Sequence, residues 1–283
     1  MLKLKGVEDV YYPESIQEAV GLLRKDKEGS EVVGGGLDIS TLPSTRIKHL
    51  IFLDKLGLKY VKKTDEGIKI GALSTLSFAE NSEAIKDYFG GKVKELLGGI
   101  ATELLRNQIT FGGALGKREP YSDIVTLLLT LNAKVVLSDG EWDEELSIAD
   151  FYKGNFRSLI KERIIKEIIL NDFDSSYFFS MKRFVRNATD IALLNAGMLL
   201  KLDGKKIVNS TFVVGARPKP AYLFGEATEF LNGKELSEEL AEEFGNFVES
   251  NVDVGKDYRA SKEYRAHISG VFAKRMLLEA MEG

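Results

Sequence analysis

The sequence predicts a chain of two or three domains, each built from both α-helices and β-strands. Its 283 residues exceed the usual length of one compact domain. Apolar residues recur at helical spacing in some segments and form short clustered or alternating runs in others. The hydrophobic content of 44% and the charged content of 29% are typical of a globular protein.

The composition excludes several classes of function. A net charge of -4 argues against non-specific nucleic-acid binding, which requires a basic surface. The chain has no cysteine, so it can form neither a disulfide nor an iron–sulfur cluster on its own thiolates. His49 and His267 are its only histidines, and we expect no metal site. Any redox chemistry must therefore come from a bound cofactor.

The distribution of apolar residues indicates a cellular location. No segment approaches the run of roughly 18 apolar residues that a membrane span needs, and the first ten residues lack the apolar core of a secretion signal. We therefore expect a cytoplasmic protein. Lysine and glutamate are abundant and only Gln17 and Gln108 are glutamines, which favours a thermophilic source.

Local patterns predict the elements of the first two thirds of the chain. Ser15, after Pro13, is expected to be the N-cap of a helix over 15–24. The other predicted elements are strands over 31–33, 47–53, 67–73 and 133–137 and helices over 93–105 and 122–132.

The last third has longer runs, and polar turn residues at 171–176 predict a domain boundary before it. Leu202-Asp203-Gly204-Lys205 is typical of a hairpin turn. The predicted elements are long strands or mixed elements over 164–170, 177–184 and 191–202 and amphipathic helices over 237–250 and 261–281.

Two glycine segments are candidate phosphate sites. In the first, Gly34–Gly36 follow a predicted strand, and successive backbone N–H groups in such a turn can bind an anion. The second is a predicted loop over Thr110–Leu115 that contains Gly112 and Gly113. A side chain at Gly35 or Gly113 would then block the phosphate and penalise a positive φ, while the fold stays largely intact. The alternative for each segment is a tight turn with no ligand.

The two segments together suit a dinucleotide better than either does alone. Neither matches G-x-G-x-x-G before a helix or the ending of a triphosphate P-loop. Two backbone sites could hold a diphosphate, and Asp123, ten residues after Gly113, could accept hydrogen bonds from sugar or ribityl hydroxyls. The alternative for Asp123 is a helix N-cap, and both roles could coexist.

In this order, the motifs resemble the FAD-binding middle subunit of the molybdenum hydroxylases, the family of xanthine dehydrogenase and carbon monoxide dehydrogenase. The resemblance covers nearly the whole chain. The segments that carry it are Gly34–Ile39, Ile70–Thr75, Leu105–Leu115, Pro120–Asp123, Phe184, Arg186, Asp190–Ala192, Asp257, Arg259–Ser261, Tyr264 and Arg265. Among them Asp257, Arg259, Tyr264 and Arg265 are expected to form an ion-pair cluster or a subunit contact.

The resemblance implies an α+β fold. A two-part FAD-binding domain of the vanillyl-alcohol-oxidase type would span 1–172, with subdomains of about 1–57 and 58–172, and a smaller α+β domain would span 173–283. FAD is expected to bind noncovalently, and no catalytic residue is expected. The implied cofactor-binding residues are Val33, Gly34, Gly35, Gly36, Leu37, Asp38, Thr75, Thr110, Phe111, Gly112, Gly113, Ala114 and Asp123.

The resemblance also implies a flavoprotein subunit of a heteromeric oxidoreductase. A large partner subunit would carry molybdopterin, and a small one would carry iron–sulfur clusters that pass electrons to FAD on this chain and then to an external acceptor. Two alternatives stay open: a self-contained flavin oxidoreductase, and a scaffold that has lost its flavin. Leu37 and Ala114 bear on the second, because each replaces a polar residue of the family motifs.

Overall fold

The computed structural model describes residues 6–41 and 45–282, which form two compact units. Unit 1 contains the described residues of 1–86, 102–117 and 132–171. Unit 2 contains those of 87–101, 118–131 and 172–283. Two segments that precede residue 172 thus belong to unit 2, and the division at residues 172 and 173 stays a prediction.

The elements have the following bounds. The strands are β1 Asp9–Tyr11, β2 Ser30–Val33, β3 His49–Phe52, β4 Val61–Thr64, β5 Gly67–Gly71, β6 Lys134–Ser138, β7 Asp143–Ser147, β8 Ile164–Leu170, β9 Tyr177–Phe184, β10 Leu194–Asp203, β11 Lys206–Gly215 and β12 Tyr222–Leu223. The helices are α1 Ile16–Lys25, α2 Leu37–Thr41, α3 Leu76–Glu80, α4 Glu83–Lys86, α5 Lys92–Gly98, α6 Glu103–Arg106, α7 Phe111–Lys117, α8 Asp123–Thr130, α9 Ile148–Lys153, α10 Phe156–Leu159, α11 Gly225–Leu231, α12 Glu238–Asn251 and α13 Lys262–Glu282.

Unit 1 contains two sheets. In the first, β3 lies between β1 and β2 and is parallel to both. Helix α1 begins after Ser15, whose side chain accepts a hydrogen bond from the Glu18 N–H at 3.1 Å, so the predicted N-cap is confirmed. Ala19, Val20 and Leu23 of this helix are buried in a shared apolar core. The second sheet is antiparallel, with the order β4-β5-β8-β6-β7.

Unit 2 is built on one antiparallel sheet with the order β12-β11-β10-β9. Successive residues of a strand point to opposite faces, and β10 uses both. Leu194, Ala196, Met198 and Leu200 join the apolar core that α12 and α13 complete. The alternate residues Asn195 and Gly197 face α8, which packs on β10 and β11.

The predicted mixture of helices and strands is confirmed, but the apolar pattern after β5 was misinterpreted. The apolar pattern over 93–105 predicted one buried helix, but the structure has α5 and α6 with a break between them. Ala101 within the break has φ of 51°, a left-handed value that ends a helix. Beyond it, Leu104 is 79% exposed. The helical spacing of apolar residues continues through the break, because such a pattern cannot reveal a single residue with left-handed backbone angles. Of the helices among the described residues, none is long and apolar enough to cross a membrane.

Candidate cofactor site

The first glycine segment joins β2 to α2 in unit 1. Val33, at the end of β2, is buried, whereas Gly35 and Asp38 are exposed. Only Gly36 in this segment has a positive φ, of 74°, a conformation that favours glycine. No described residue accepts a hydrogen bond from the N–H of Gly35 or Gly36. Leu37 and Asp38 form the first turn of α2.

The second glycine segment is not the predicted loop. It belongs to helix α7, which begins at the buried Phe111 and includes Gly112, Gly113 and Ala114. The Gly113 N–H donates to Thr110 Oγ1 at 3.1 Å. The prediction missed this helix because two adjacent glycines disfavour a helix interior, and tertiary contacts outweigh that local preference.

Thr110 and Thr75 connect this segment to its surroundings. The two residues form an isolated antiparallel bridge. Thr75 is also the N-cap of α3, where its hydroxyl accepts a hydrogen bond from the Phe78 N–H at 3.2 Å. Both threonine hydroxyls are therefore used as helix-capping acceptors, which fixes the backbone on one side of the second glycine segment.

The two glycine segments approach each other so closely that side chains would collide. A Cβ on Gly34 would lie 2.7 Å from Thr110 Oγ1, and one on Gly35 would lie 1.6 Å from the carbonyl oxygen of Gln108. A Cβ on Gly112 would similarly lie 2.9 Å from the carbonyl oxygen of Ala72. Glycine is therefore required at these positions by contacts within the protein.

Two details of the expected glycine chemistry are consequently wrong. Gly35 and Gly113 do not have a positive φ, so a side chain at either would not be penalised on that ground. The expectation that a side chain at Gly35 leaves the fold intact also fails, because it would displace a backbone carbonyl rather than a flexible side chain. If Gly35→Val weakens ligand binding, the cause would therefore be the displaced Gln108 backbone.

The arrangement fits the diphosphate of FAD. The N–H groups of Gly35 and Gly36 have no acceptor among the described residues, and the exposed Gly35 and Gly113 leave the surface open. Successive backbone N–H groups form an anion site without a basic side chain. The side chains of Leu37 and Ala114 supply no polar atom here, so retention of a ligand must depend on the backbone.

Asp123 belongs to unit 2, where it is buried as the first residue of α8. The N-cap is Ser122, whose hydroxyl accepts a hydrogen bond from the Val125 N–H at 3.3 Å, so the alternative that made Asp123 the cap is wrong. Asp123 Oδ1 accepts a hydrogen bond from Asn195 Nδ2 at 2.7 Å. Its Oδ2 lies 2.9 Å from Nε of Arg183 in an ion pair.

These side chains form a buried polar group, the Asp123 cluster, comprising Asp123, Thr126, Arg183 and Asn195. Thr126 Oγ1 donates to Asn195 Oδ1 at 2.8 Å, and Arg183 Nη1 donates to the Gly99 carbonyl at 2.6 Å. Burial raises the pKa of Asp123, and Arg183 and Asn195 offset part of that rise. Sequence reasoning missed Arg183 and Asn195 because no local motif reports a partner 60 or more residues away.

A second ionic group lies at the start of α13. The expected ion-pair cluster is confirmed for Asp257, Arg259 and Arg265: Asp257 pairs with Arg259 at 2.9 Å and with Arg265 at 2.7 Å. Partial burial acts to raise the pKa of Asp257, but hydrogen bonds from Arg265 and Arg259 hold it well below its usual range. Tyr264 is not in the cluster, and its ring lies 5.8 Å from that of Phe184.

Two ranges of the chain match known flavoprotein families. Residues 4–170 match the FAD binding domain in molybdopterin dehydrogenase, and residues 179–280 match the CO dehydrogenase flavoprotein C-terminal domain. The fold and the paired glycine segments thus define an FAD-binding oxidoreductase subunit. The chain belongs to the family of FAD-binding medium subunits of molybdenum hydroxylases, as the motifs indicated.

Individual relatives agree over nearly the full length. The glyceraldehyde dehydrogenase medium chain of Sulfolobus acidocaldarius is 26% identical, with 94% of this chain and 95% of that protein covered. The nicotinate dehydrogenase FAD-subunit of Eubacterium barkeri is 27% identical, with 97% of each covered. The carbon monoxide dehydrogenase structure from Hydrogenophaga pseudoflava has a TM-score of 0.88 at 21% identity over 98% of both chains, which shows the same fold.

Proposed function

We propose that this chain is the electron-transferring flavin subunit of a heteromeric molybdenum hydroxylase. In this proposal a partner subunit with iron–sulfur clusters delivers electrons to FAD on unit 1, and an external acceptor removes them. A third subunit with molybdopterin oxidises the substrate. The assembly would lie in the cytoplasm.

The observation that carries the proposal is the contact between the two glycine segments inside a matched FAD-binding domain. Gly34 and Gly35 pack against Thr110 and Gln108, so the two segments lie close enough to contribute to one site. The N–H groups of Gly35 and Gly36 and the exposed surface at Gly113 would hold the diphosphate. Bound FAD can accept electrons singly or as a pair and release them to another carrier.

The remaining proposed contacts differ in how directly the structure supports them. The backbone of Val33–Asp38 and Thr110–Ala114 forms the two segments, with Thr75 bridged to Thr110. Asp123 has both carboxylate oxygens engaged by Asn195 and Arg183. A carboxylate offers about four acceptor positions, so a ribityl or sugar hydroxyl could still bind there.

The division of labour between subunits rests on what the sequence lacks. Without cysteine, the chain cannot ligate an iron–sulfur cluster through thiolates. Among the described residues, no group of histidine, aspartate and glutamate side chains is arranged to hold a metal ion. Because the chain lacks thiolates, the proposal assigns the clusters to a partner chain, which a self-contained flavin oxidoreductase would not need.

Reduction of the flavin under anaerobic conditions tests the proposal. An aldehyde or N-heterocycle should leave the flavin of the isolated chain oxidised, and should bleach it once the cluster-bearing and molybdenum-bearing partners are added. Rapid bleaching of the lone chain would contradict the relay and favour a self-contained oxidoreductase. A purified complex without flavin absorption would favour the scaffold.

The mode of flavin attachment has its own test. No histidine or cysteine lies in either glycine segment to form a covalent link. Acid precipitation of the native protein should therefore release all the flavin to the supernatant. A yellow pellet would contradict noncovalent binding.

A further inference from the structure

Unit 2 presents a tyrosine that is almost fully exposed. Tyr258 lies in the segment that joins α12 to α13, and 93% of its surface is accessible, more than for any other large apolar or aromatic residue that the structure describes. An aromatic side chain can bury about 150–250 Å² when it meets another surface. An exposed ring of this size therefore has more to gain from a partner than most surface side chains have.

The turn that carries Tyr258 has a fixed backbone. Asp257 and Ala260 form an antiparallel bridge across it. The carboxylate oxygen Oδ1 of Asp257 accepts hydrogen bonds from the N–H groups of Arg259 at 2.9 Å and Ala260 at 3.3 Å. Tyr258 thus lies at the tip of a closed turn, and a side chain on a preorganised backbone costs less free energy to bind.

A buried arginine joins this turn to the rest of unit 2. Arg265 is 1% exposed, and its guanidinium donates to Asp257 Oδ1 at 2.7 Å. The same guanidinium donates to the carbonyl of Ala260 at 2.8 Å and to that of Leu193 at 2.9 Å. Because Leu193 directly precedes β10, the turn is held against the loop that connects β9 to β10. Tyr258 is therefore exposed on a fixed part of the fold.

The residues beside Tyr258 are also typical of protein interfaces. Arg186, in the loop between β9 and β10, has a side chain that is 57% exposed and interacts electrostatically with Tyr258. Ile191 in the same loop is 43% exposed, and Tyr264 is 45% exposed. Tyrosine and arginine are enriched among the residues that contribute most to protein–protein binding. The exposed side chains that form this Tyr258 surface are those of Arg186, Ile191, Lys256, Tyr258, Lys262 and Tyr264.

The charge around Tyr258 is opposite in sign to that of the whole chain. The chain has 43 acidic and 39 basic residues. In the segment 255–265 the basic residues outnumber the acidic ones instead: Lys256, Arg259, Lys262 and Arg265 against Asp257 and Glu263. Asp257 is paired with both arginines, and Glu263 interacts with both lysines. The two lysines are exposed, so a surface that supplies further carboxylates would complement them.

We propose that the Tyr258 surface docks a partner protein through an acidic face of that protein. The Tyr258 ring would be buried at the centre of the contact, and carboxylates of the partner would accept hydrogen bonds from Lys256 and Lys262. An anionic membrane is less suited to this surface, because membrane binding usually takes a cluster of about four to eight basic residues. The inference concerns binding alone and does not depend on the flavin relay.

Zero-length crosslinking of the native assembly tests the chemistry of the partner. A carbodiimide couples a lysine amine to a carboxylate that lies against it, and mass spectrometry identifies both peptides. Lys256 or Lys262 should be coupled to an aspartate or glutamate of a different protein. Lys274 is the internal control, since it pairs with Glu242 and should be coupled to that residue of the same chain.

Variants of the full chain then measure the contribution of each group to binding of the crosslinked partner. Tyr258→Ala should weaken binding at least about 30-fold, because a central aromatic residue contributes a large share of the binding energy. Lys262→Glu should weaken it about tenfold and reduce its dependence on ionic strength. Lys205→Glu makes the same change of charge at an exposed position in the hairpin between β10 and β11, and it should bind as the natural chain does. All three side chains are exposed, so thermal unfolding should not change.

Several results would overturn the proposal. One is the absence of any crosslink from Lys256 or Lys262 to another protein, and another is a crosslink only to a second copy of this chain. Binding of Tyr258→Ala that equals binding of Lys205→Glu would reject the central role of the ring. Affinity that does not fall with ionic strength would reject an acidic face. Binding to phosphatidylserine vesicles that Lys262→Glu abolishes would assign the surface to a membrane.

Discussion

The two glycine segments of unit 1 and Asp123 of unit 2 were predicted from one set of motifs, but different forces hold the glycine segments and the Asp123 cluster. In the glycine segments the backbone itself makes the contacts, and an added Cβ would reach the Gln108 carbonyl at 1.6 Å. In the Asp123 cluster, buried side chains pair with one another at 2.7 and 2.9 Å. The glycine segments should thus be sensitive to added side-chain volume, and the Asp123 cluster should be sensitive to the loss of a charge.

The largest expected effect is that of Asp123→Ala. It leaves Arg183 largely buried without its carboxylate, and removing one member of a buried ion pair costs about 3–5 kcal/mol. Urea unfolding would measure the free energy of unfolding. Glu242→Ala, which breaks the exposed pair with Lys274 in the same unit, should cost about 0–1 kcal/mol. Equal losses of unfolding free energy in the two variants would show that the buried pair of Asp123 stabilises the unit no more than the exposed pair does.

Gly35→Ala should have the next largest effect. Its Cβ must displace the Gln108 backbone, and overpacking of this kind costs about 1–3 kcal/mol. Because the same contact forms the proposed diphosphate site, the flavin content of the purified protein should fall as well. Gly154→Ala is the control in unit 1, since no atom lies within 4 Å of its Cβ position. Full flavin content in Gly35→Ala would remove the glycine segments from the proposed site.

Thr110→Val tests a single hydrogen bond within the glycine region. The variant keeps the shape of the side chain but leaves the Gly113 N–H without its acceptor, at a cost of about 0.5–1.5 kcal/mol. Flavin affinity, measured by fluorescence titration, should fall by no more than about tenfold. Thr110→Ser retains the hydroxyl and should bind flavin as the natural chain does. A loss in the serine variant equal to that in valine would attribute the effect to packing.

Acid titration tests the charge of Asp257 in unit 2 and should have the smallest effect. The folded-state pKa of Asp257 lies below its unfolded value of about 3.9, so its contribution to stability is present above that pH and is lost as the pH falls. Thermal unfolding followed from about pH 5 to about pH 2 should therefore show a decline that Asp257→Asn reduces. The backbone N–H groups of the glycine segments do not titrate in this range. An unchanged decline in the variant would assign it to other carboxylates.

Much of the molecule was predictable because local patterns report local structure. Strands β8 and β9 have the bounds that their apolar runs predicted, and Gly204, with φ of 57°, forms the predicted hairpin turn. The α7 helix was not predictable, because its three glycines oppose helix formation and hydrogen bonds to Thr110 and Ala72 stabilise it. The break at Ala101 was also not predicted, because the helical spacing of apolar residues continues across it.

The sequence by itself determined the family, the order of the glycine motifs and the absence of thiolates, because each is a property of residue identity along the chain. The tertiary structure alone decided why the glycines are needed. Gly35 lies against the Gln108 backbone, and Asp123 faces Arg183, 60 residues later. These contacts depend on how segments that are distant in sequence pack together. The spacing of hydrophobic residues indicates which positions are buried, but it does not indicate which atoms come into contact.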